Sequence, residues 1–192
     1  AGSVGKTSTK RALGDLLVQR YRVRMHEGNH NSEVSVPLAI LGIALPTKLK
    51  NPFSWFGVFR AARRRIRQPT DVDVIVQELG VDHPGDMAAF GEYLRPDIAL
   101  VTAVTPEHME FLGTIEAVAQ EELSVLSFSK AGLINRDDID GRFADLINNP
   151  NFSTYGTSGS AEFRFEPQRF DADVGYGGTI IASEYGSFPA TI

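Results

Sequence analysis

The chain opens on a loop whose residues suit the binding of a polyphosphate. Residues 2–8 read GSVGKTS: the glycines let backbone N–H groups approach phosphate oxygens, and Lys6 supplies a point charge. The Thr7 hydroxyl is a ligand that magnesium accepts. The first glycine of the usual eight-residue spacing is not in the sequence, so a glycine turn that only caps a helix is the alternative. The predicted nucleotide-binding residues of this loop are Gly2, Ser3, Val4, Gly5, Lys6, Thr7 and Ser8.

Two further candidates lie where strand-like segments end. Residues 73–79 and 97–105 have the apolar character of interior parallel strands, and ligands gather at the carboxyl ends of such strands. Glu78 ends the first segment and His108 follows the second, and both residue types bind metal ions. The alternatives are an exposed carboxylate and a capping or core histidine. Because a buried carboxylate is costly unless a cation neutralises it, and a phosphate loop is present, we expect a metal site there.

The surrounding pattern predicts an α/β fold, with a P-loop-type, mostly parallel sheet flanked by helices and a small antiparallel sheet near the C-terminus. With 192 residues, 42% of them hydrophobic, the chain is long enough for one domain with one core. Strand 73–79, helix 88–94 and strand 97–105 predict a parallel crossover unit. Further helices are predicted at 7–20, 35–45, 114–128 and 139–147, strands at 21–25 and 132–135, and the antiparallel sheet after 152.

An unusual segment at 47–69 interrupts this alternation. Four aromatic residues precede a basic run in it. The favoured interpretation is an amphipathic surface helix with a solvated basic face, and the alternative is a docking patch for a partner or a membrane surface. The residues concerned are Phe53, Trp55, Phe56, Phe59, Arg60, Arg63, Arg64, Arg65 and Arg67.

Composition excludes several classes of protein. A formal net charge of −5 argues against a nucleic-acid binder, which normally carries a basic excess. The absence of cysteine excludes disulfides and thiolate zinc sites and permits a reducing compartment. The longest apolar stretches, such as 34–46, are too short and interrupted to span a bilayer, and no signal peptide precedes them. We therefore expect a soluble, cytoplasmic protein without stable membrane insertion.

Five segments, taken in order, carry a resemblance to a known family. They are GSVGKTST at 2–9, GNHNSEVSVP at 28–37, ELGVDHPGDM at 78–87, TAVTPEHMEFLG at 102–113 and NRDD at 135–138. Together they resemble the central ATP-binding domain of the Mur ligases, most closely the branch that adds D-alanyl-D-alanine to the peptidoglycan precursor. The resemblance implies that residues 1–192 are this central domain with an insertion at about 47–69, and that the N-terminal and C-terminal domains are absent.

The resemblance also implies a reaction. ATP, with Mg²⁺, would phosphorylate the carboxylate of a UDP-muramoyl peptide, and the amine of an amino acid or of D-Ala-D-Ala would attack the resulting acyl phosphate. Catalysis of this kind rests on placement and charge neutralisation. Lys6 would hold the terminal phosphates, Thr7 and Glu78 would bind one magnesium, and His108 would help to bind a second. Without the flanking domains, we expect little or no ligase activity from the chain.

Further roles follow from the same resemblance. Asn135 and Asp138 would lie near the adenine and ribose. Asn29 and Asn31 match a loop near the reacting carboxylate, although an ordinary turn is the alternative from the residues alone.

One position departs from the family pattern. The lysine that is usually carbamylated to bind the second magnesium falls on Glu122. One hypothesis is that the Glu122 carboxylate replaces it by direct or water-mediated ligation; the other is that Glu122 is a solvated helix residue beside a weakened second site. The predicted catalytic residues are thus Lys6, Glu78, His108 and Glu122. Two other functions stay open: a folylpoly-γ-glutamate synthetase (FPGS)-like ligase, and a non-catalytic domain that binds a nucleotide or docks a partner.

Overall fold

The computed structural model describes every residue except Glu27, Asn29, Val174 and Ile192. Asn29, predicted to lie near the substrate, is therefore outside the described residues. The contacts of the chain group it into two compact units, one of residues 5–82 and one of residues 1–4 with 83–192.

The unit of residues 5–82 contains three helices and a two-stranded parallel sheet. The strands pair with Val23 opposite Val74 and Met25 opposite Val76. A Cβ at Gly14, on the buried face of the first helix, would lie 2.6 Å from the sulfur of Met25, so glycine permits the helix to approach the first strand closely. The elements are α1 (Lys6–Leu17), β1 (Val23–Met25), α2 (Ser35–Leu41), α3 (Pro52–Ile66) and β2 (Val74–Val76).

The unit of residues 1–4 and 83–192 is built on a six-stranded sheet. Its strand order follows the chain: β3 to β6 are parallel, and β6, β7 and β8 are antiparallel. The predicted α/β class with a mostly parallel sheet is confirmed, and the antiparallel strands continue that sheet. The strands are β3 (Ile98–Val101), β4 (Ala131–Asn135), β5 (Phe152–Gly156), β6 (Phe163–Asp171), β7 (Gly175–Ala182) and β8 (Gly186–Thr191), and the helices are α4 (Asp86–Tyr93), α5 (Met109–Leu112) and α6 (Ile115–Leu123).

Some sequence predictions need correction. The strand β5 pairs parallel with β4, whereas the alternation after 152 predicted only antiparallel strands. The predicted helix at 139–147 is a 3₁₀ helix, Gly141–Leu146, and the one at 114–128 ends in another, Ser124–Phe128. The parallel neighbours in the described chain are β1–β2, β3–β4, β4–β5 and β5–β6, whereas the sequence predicted a crossover from 73–79 to 97–105. The strands in those two ranges, β2 and β3, belong to different sheets.

The core of the second unit lies between its helices and the parallel strands. Met87 and Phe90 of α4 are fully buried, as is Leu126 of the first 3₁₀ helix. A Cβ at Gly132 in β4 would lie 2.7 Å from the Leu126 side chain, so the absence of a side chain there lets that helix pack on the sheet. No helix among the described residues is long and apolar enough to cross a bilayer.

Candidate functional site

The first half of the phosphate loop is hydrogen-bonded to the segment that follows β3. The Ser3 N–H donates to the Ala103 carbonyl at 2.8 Å, and the Thr102 hydroxyl donates to the Val4 carbonyl at 2.5 Å. Gly2 has φ 116°, and a Cβ there would lie 2.8 Å from the backbone nitrogens of residues 102 and 103. Glycine is therefore required at position 2 both by backbone conformation and by space.

The second half of the loop leads into α1. Gly5 takes a left-handed conformation, φ 81°, at the N-cap position of the helix, and a glycine has no side chain with which to cap it. The first turn carries no acidic residue, so its N–H groups keep their positive potential for an anion. Lys6 and Thr7 belong to this turn, and Ser8 follows them exposed to solvent.

Glu78 lies just past β2 and is 6% exposed. The Thr7 hydroxyl donates to its carboxylate at 2.9 Å from Oε2 and 3.2 Å from Oε1. The ammonium group of Lys10 lies 3.1 Å from Oε2 in an ion pair whose two side chains are both buried. A buried carboxylate with a cation and a hydroxyl beside it is the arrangement that the burial argument for Glu78 requires. The alternative of an exposed carboxylate at this position is wrong.

Sequence reasoning missed Lys10. It is 6% exposed, and its ammonium group also donates to the Gly28 carbonyl at 3.0 Å. The signal in the sequence was its spacing: Lys10 lies three residues after Thr7 and four before Gly14, which is the other buried residue of α1. A lysine on the buried face of a helix calls for an anionic partner.

The segment around Asn31 is fixed to the chain that follows Glu78. The Gly80 N–H donates to the Asn31 carbonyl at 3.0 Å, and Gln77 Nε2 donates to the His30 carbonyl at 2.7 Å. A Cβ at Gly80 would lie 2.5 Å from Asn31 Nδ2, so only glycine leaves room for this amide. Burial, with neighbouring positive charge, lowers the pKa of His30, whose ring centroid lies 3.6 Å from that of His26. The predicted substrate role of Asn31 stays a prediction.

In the other unit, Glu122 is 2% exposed on α6 and accepts a hydrogen bond of 2.6 Å from the Gly2 N–H of the phosphate loop. The hypothesis of a solvated helix residue at this position is therefore wrong. His108 precedes α5 with φ 53°, in the left-handed region. No group of three or more His, Asp or Glu side chains suited to a metal ion occurs in the described part of the chain. The metal roles of His108 and Glu122 stay predictions.

A cavity of about 840 Å³ lies beside the carboxyl end of β4. Asp138 lines it, and Asn135 Nδ2 donates to Asp138 Oδ2 at 2.7 Å, so these two predicted residues lie together. The volume is in the usual range of small-ligand sites. Arg136 and Phe143 also line the cavity and offer a cation and an aromatic ring.

The neighbouring Asp137 holds the turn after β4 to the end of β5. Its carboxylate accepts from the N–H groups of Thr157, at 2.5 Å, and Ser158, at 3.0 Å, and from the Thr157 hydroxyl, at 2.8 Å. These hydrogen bonds, the Thr157 N–H first, lower the pKa of Asp137 to about 2. A Cβ at Gly156 would lie 2.8 Å from this carboxylate, so the contact requires glycine there.

Residues 1–189 match the sequence pattern of one protein family, described as the Mur ligase middle domain. The chain belongs to the Mur ligase family. This Mur ligase middle domain is 26% identical over 126 residues, 66% of its length, to the UDP-N-acetylmuramoyl-tripeptide–D-alanyl-D-alanine ligase of Bacillus subtilis, and covers 22% of that protein. It is 29% identical over 140 residues, 71% of its length, to the ligase of the same name from Mycobacterium tuberculosis, again covering 22% of it. The chain thus spans less than a quarter of the length of these relatives.

Solved structures share the fold of this Mur ligase middle domain. MurF from Acinetobacter baumannii matches 100% of the chain with a TM-score of 0.74 and 14% identity, the chain covering 37% of it. MurF from Thermotoga maritima in complex with ADP matches 99% with a TM-score of 0.72 and 22% identity, and 38% of it is covered. FPGS from L. casei matches 100% with a TM-score of 0.64 and 14% identity, with 51% covered. At these identities the likeness concerns the fold alone.

Proposed function

We propose that this middle domain is the ATP-binding part of an ATP-dependent ligase that forms an amide bond on a UDP-muramoyl peptide, and that the added group is D-Ala-D-Ala. The observation that carries the proposal is the cluster of the half-buried Thr7 with the buried ion pair of Lys10 and Glu78. The family match and the names of the curated relatives support the substrate class.

The residues of this cluster fit a magnesium ion. The carboxylate of Glu78 and the hydroxyl of Thr7 are hard oxygen donors on adjacent elements, which is the donor set that magnesium prefers beside a nucleotide. When bound, magnesium would neutralise negative charge on the phosphates of ATP. Thr7 and Glu78 would hold it, and His108 and Glu122 are the candidates for a second ion.

The chain's own residues would do the positioning. Lys6 and the N–H groups from Gly2 to Ser8 would bind the phosphates, because the N-terminus of α1 attracts anions and its first turn carries no acidic residue. Lys10 forms an ion pair with the Glu78 carboxylate. Its ammonium group also donates to the carbonyl of Gly28, where the segment that includes Asn31 begins. We propose that Lys10 is a positioning residue that links the phosphate loop to this segment.

The cavity beside β4 is the candidate for the nucleoside. Asp138 lines it and offers a carboxylate that suits the ribose hydroxyls, Asn135 holds that carboxylate by a hydrogen bond, and Phe143 offers an aromatic ring.

An FPGS-like ligase is the second candidate function. The L. casei FPGS has the same fold at 14% identity, and this likeness supports a shared fold but not a shared substrate. The curated relatives matched in sequence bear the muramoyl ligase name, which favours the muramoyl substrate.

Turnover separates these candidates in a protein that carries this domain together with its flanking domains. With ATP, magnesium, UDP-muramoyl tripeptide and D-Ala-D-Ala, we expect phosphate release that depends on the dipeptide, and a product heavier by one dipeptide residue in mass spectra. Glu78→Gln should abolish it, whereas Glu92→Gln, at an exposed glutamate on α4, should not. Release that depends instead on a folate and glutamate would favour the second candidate, and no acceptor-dependent release would favour a non-catalytic nucleotide-binding or docking domain.

A further inference from the structure

Helix α3 exposes a row of large aromatic side chains. Phe53, Phe56 and Phe59 are 86%, 74% and 66% exposed. Their spacing of three residues keeps them along one side of the helix. The helix packs through Val58, its buried residue, so the phenylalanines are not its packing face. Single exposed apolar residues are ordinary, but three on one helix mark an interaction surface.

The same segment concentrates positive charge. Residues 47–70 contain seven of the 19 Lys and Arg residues and none of the 24 Asp and Glu residues. The segment therefore carries a formal charge of +7, and the rest of the chain carries −12, which together give the net −5. A surface of opposite sign to the rest of the molecule orients the protein toward an anionic partner.

Little of this charge is used within the described part of the chain. Arg65 pairs with Asp71 and also donates to the Pro69 carbonyl. The other four arginines of the segment form no side-chain ion pair or hydrogen bond among the described residues, and all are exposed. The helix dipole favours cations in the last turn of a helix, but it gives no reason for phenylalanines beside them. The four arginines are Arg60, Arg63, Arg64 and Arg67.

The start of α3 is held in place without a partner. The Asn51 side chain caps the helix by accepting from the Phe53 N–H at 3.0 Å, and Pro52 occupies the first turn. The Trp55 indole N–H donates to the Leu49 carbonyl at 2.8 Å. The aromatic row is therefore presented on a helix that is already formed.

We propose that α3 docks the protein on an anionic lipid surface, with Phe53, Phe56 and Phe59 entering the headgroup region. The exposed arginines then lie against lipid phosphates. A lipid surface fits better than a protein partner because it accepts protruding aromatic rings without a complementary groove and supplies many negative charges at once. An anionic surface repels the rest of the chain, which carries a formal charge of −12, so α3 is the part that contacts the lipid. With 15 residues the helix is too short to span a bilayer, so docking is peripheral and reversible.

The chain carries its own reporter for this contact. Trp55 is the only tryptophan, and it lies on α3. We expect its emission to shift to shorter wavelength, and the chain to sediment, with vesicles of phosphatidylglycerol and phosphatidylcholine. Neither should happen with pure phosphatidylcholine, and NaCl on the order of 0.5 M should reverse both.

Matched pairs of variants separate the contribution of the aromatic side chains from that of the arginine charges. Phe53→Ser with Phe56→Ser should abolish the emission shift, whereas Phe170→Ser with Phe188→Ser, at exposed aromatics of the C-terminal strands, should leave it. Arg60→Gln with Arg63→Gln should weaken vesicle partitioning by on the order of tenfold or more. The control, Arg20→Gln with Arg169→Gln, removes the same charge from exposed positions elsewhere and should not weaken it.

Several results would overturn the proposal. Equal partitioning to neutral and anionic vesicles would show that lipid charge does not drive binding. Equal losses of vesicle binding in the α3 variants and in their matched controls would show that α3 is not the binding surface. An emission shift that depends on protein concentration without vesicles would assign the face to a second copy. A shift with an acidic polypeptide but not with anionic vesicles would assign it to a protein partner.

Discussion

Glu78 and Glu122 are both buried glutamates, but they are held in different ways. The Glu78 carboxylate contacts side chains, the Lys10 ammonium group and the Thr7 hydroxyl. The Glu122 carboxylate accepts from a backbone group, the Gly2 N–H. Glu78 thus lies beside a cation and a hydroxyl group, whereas Glu122 contacts the backbone of the phosphate loop.

Burial alone therefore does not identify a glutamate as a metal ligand. The Lys10 ammonium group lies beside the buried Glu78 carboxylate, and the Thr7 hydroxyl next to it is a group to which magnesium can bind. A carboxylate that accepts from a loop N–H contributes by orienting that loop. Glu122 can therefore serve the reaction by positioning, even if it never touches a metal ion.

The largest expected effect comes from breaking the ion pair at one end. Lys10→Met leaves Glu78 buried without its cation, so we expect the free energy of unfolding to fall by about 3 kcal/mol. Adding Glu78→Gln to it should recover part of that loss, because no uncompensated charge then remains. Urea unfolding of the two single variants and the double variant measures the coupling energy between Lys10 and Glu78. If the losses of stability in the single variants simply add in the double variant, the two side chains do not form a stabilising ion pair.

A smaller effect is expected at Glu122. Glu122→Ala removes the acceptor for the Gly2 N–H and should lower the free energy of unfolding in urea by about 1–3 kcal/mol, since a buried hydrogen bond to a charged group is lost. Glu122→Gln keeps an acceptor oxygen and should cost less. If Glu122 were instead a magnesium ligand, Glu122→Gln would raise the magnesium concentration needed for nucleotide binding, and an unchanged requirement would support loop positioning.

A third substitution tests the hydroxyl beside Glu78. Thr7→Val removes the donor to a buried carboxylate while keeping the shape, and should lower the free energy of unfolding by about 1.5 kcal/mol. Thr7→Ser keeps the hydroxyl and is the matched control. Equal stability of the two variants would mean that the hydrogen bond contributes nothing measurable.

The smallest effect concerns an exposed carboxylate that is also held by backbone N–H groups. Hydrogen bonds from Thr157 and Ser158 lower the pKa of Asp137 to about 2 from 3.8. A lowered pKa means that this contribution to stability is present above pH 3.8 and is lost as the pH falls toward 2. Urea midpoints of the wild type and Asp137→Asn, followed from pH 6 to pH 2, should converge at the acid end. A constant difference across that range would contradict the assignment.

The sequence predicted the fold class because hydrophobic periodicity is a local pattern, whereas phosphate binding by residues 2–8 stays a prediction. Glu78 was predicted correctly as a buried strand-end carboxylate, since apolar residues before it indicate burial. The spacing of Lys10 from Thr7 and Gly14 could have indicated its burial, but its partner Glu78 is 68 positions away in the chain, and no local pattern identifies that pair. The burial of Glu122 was left open because α6 carries polar residues on several sides. The strand β5 was missed because five residues after a turn carry too little apolar alternation to indicate a parallel partner.

Calorimetric titration of the chain with a nonhydrolysable ATP analogue, with and without magnesium, measures whether the phosphate loop and Glu78 bind a magnesium nucleotide. We predict binding that requires magnesium, that is lost in Lys6→Ala, and that is weakened in Glu78→Gln much more than in Glu92→Gln. Binding that is indifferent to magnesium, or that survives both Lys6→Ala and Glu78→Gln, would contradict the assignment of the phosphate loop and Glu78 to a magnesium nucleotide.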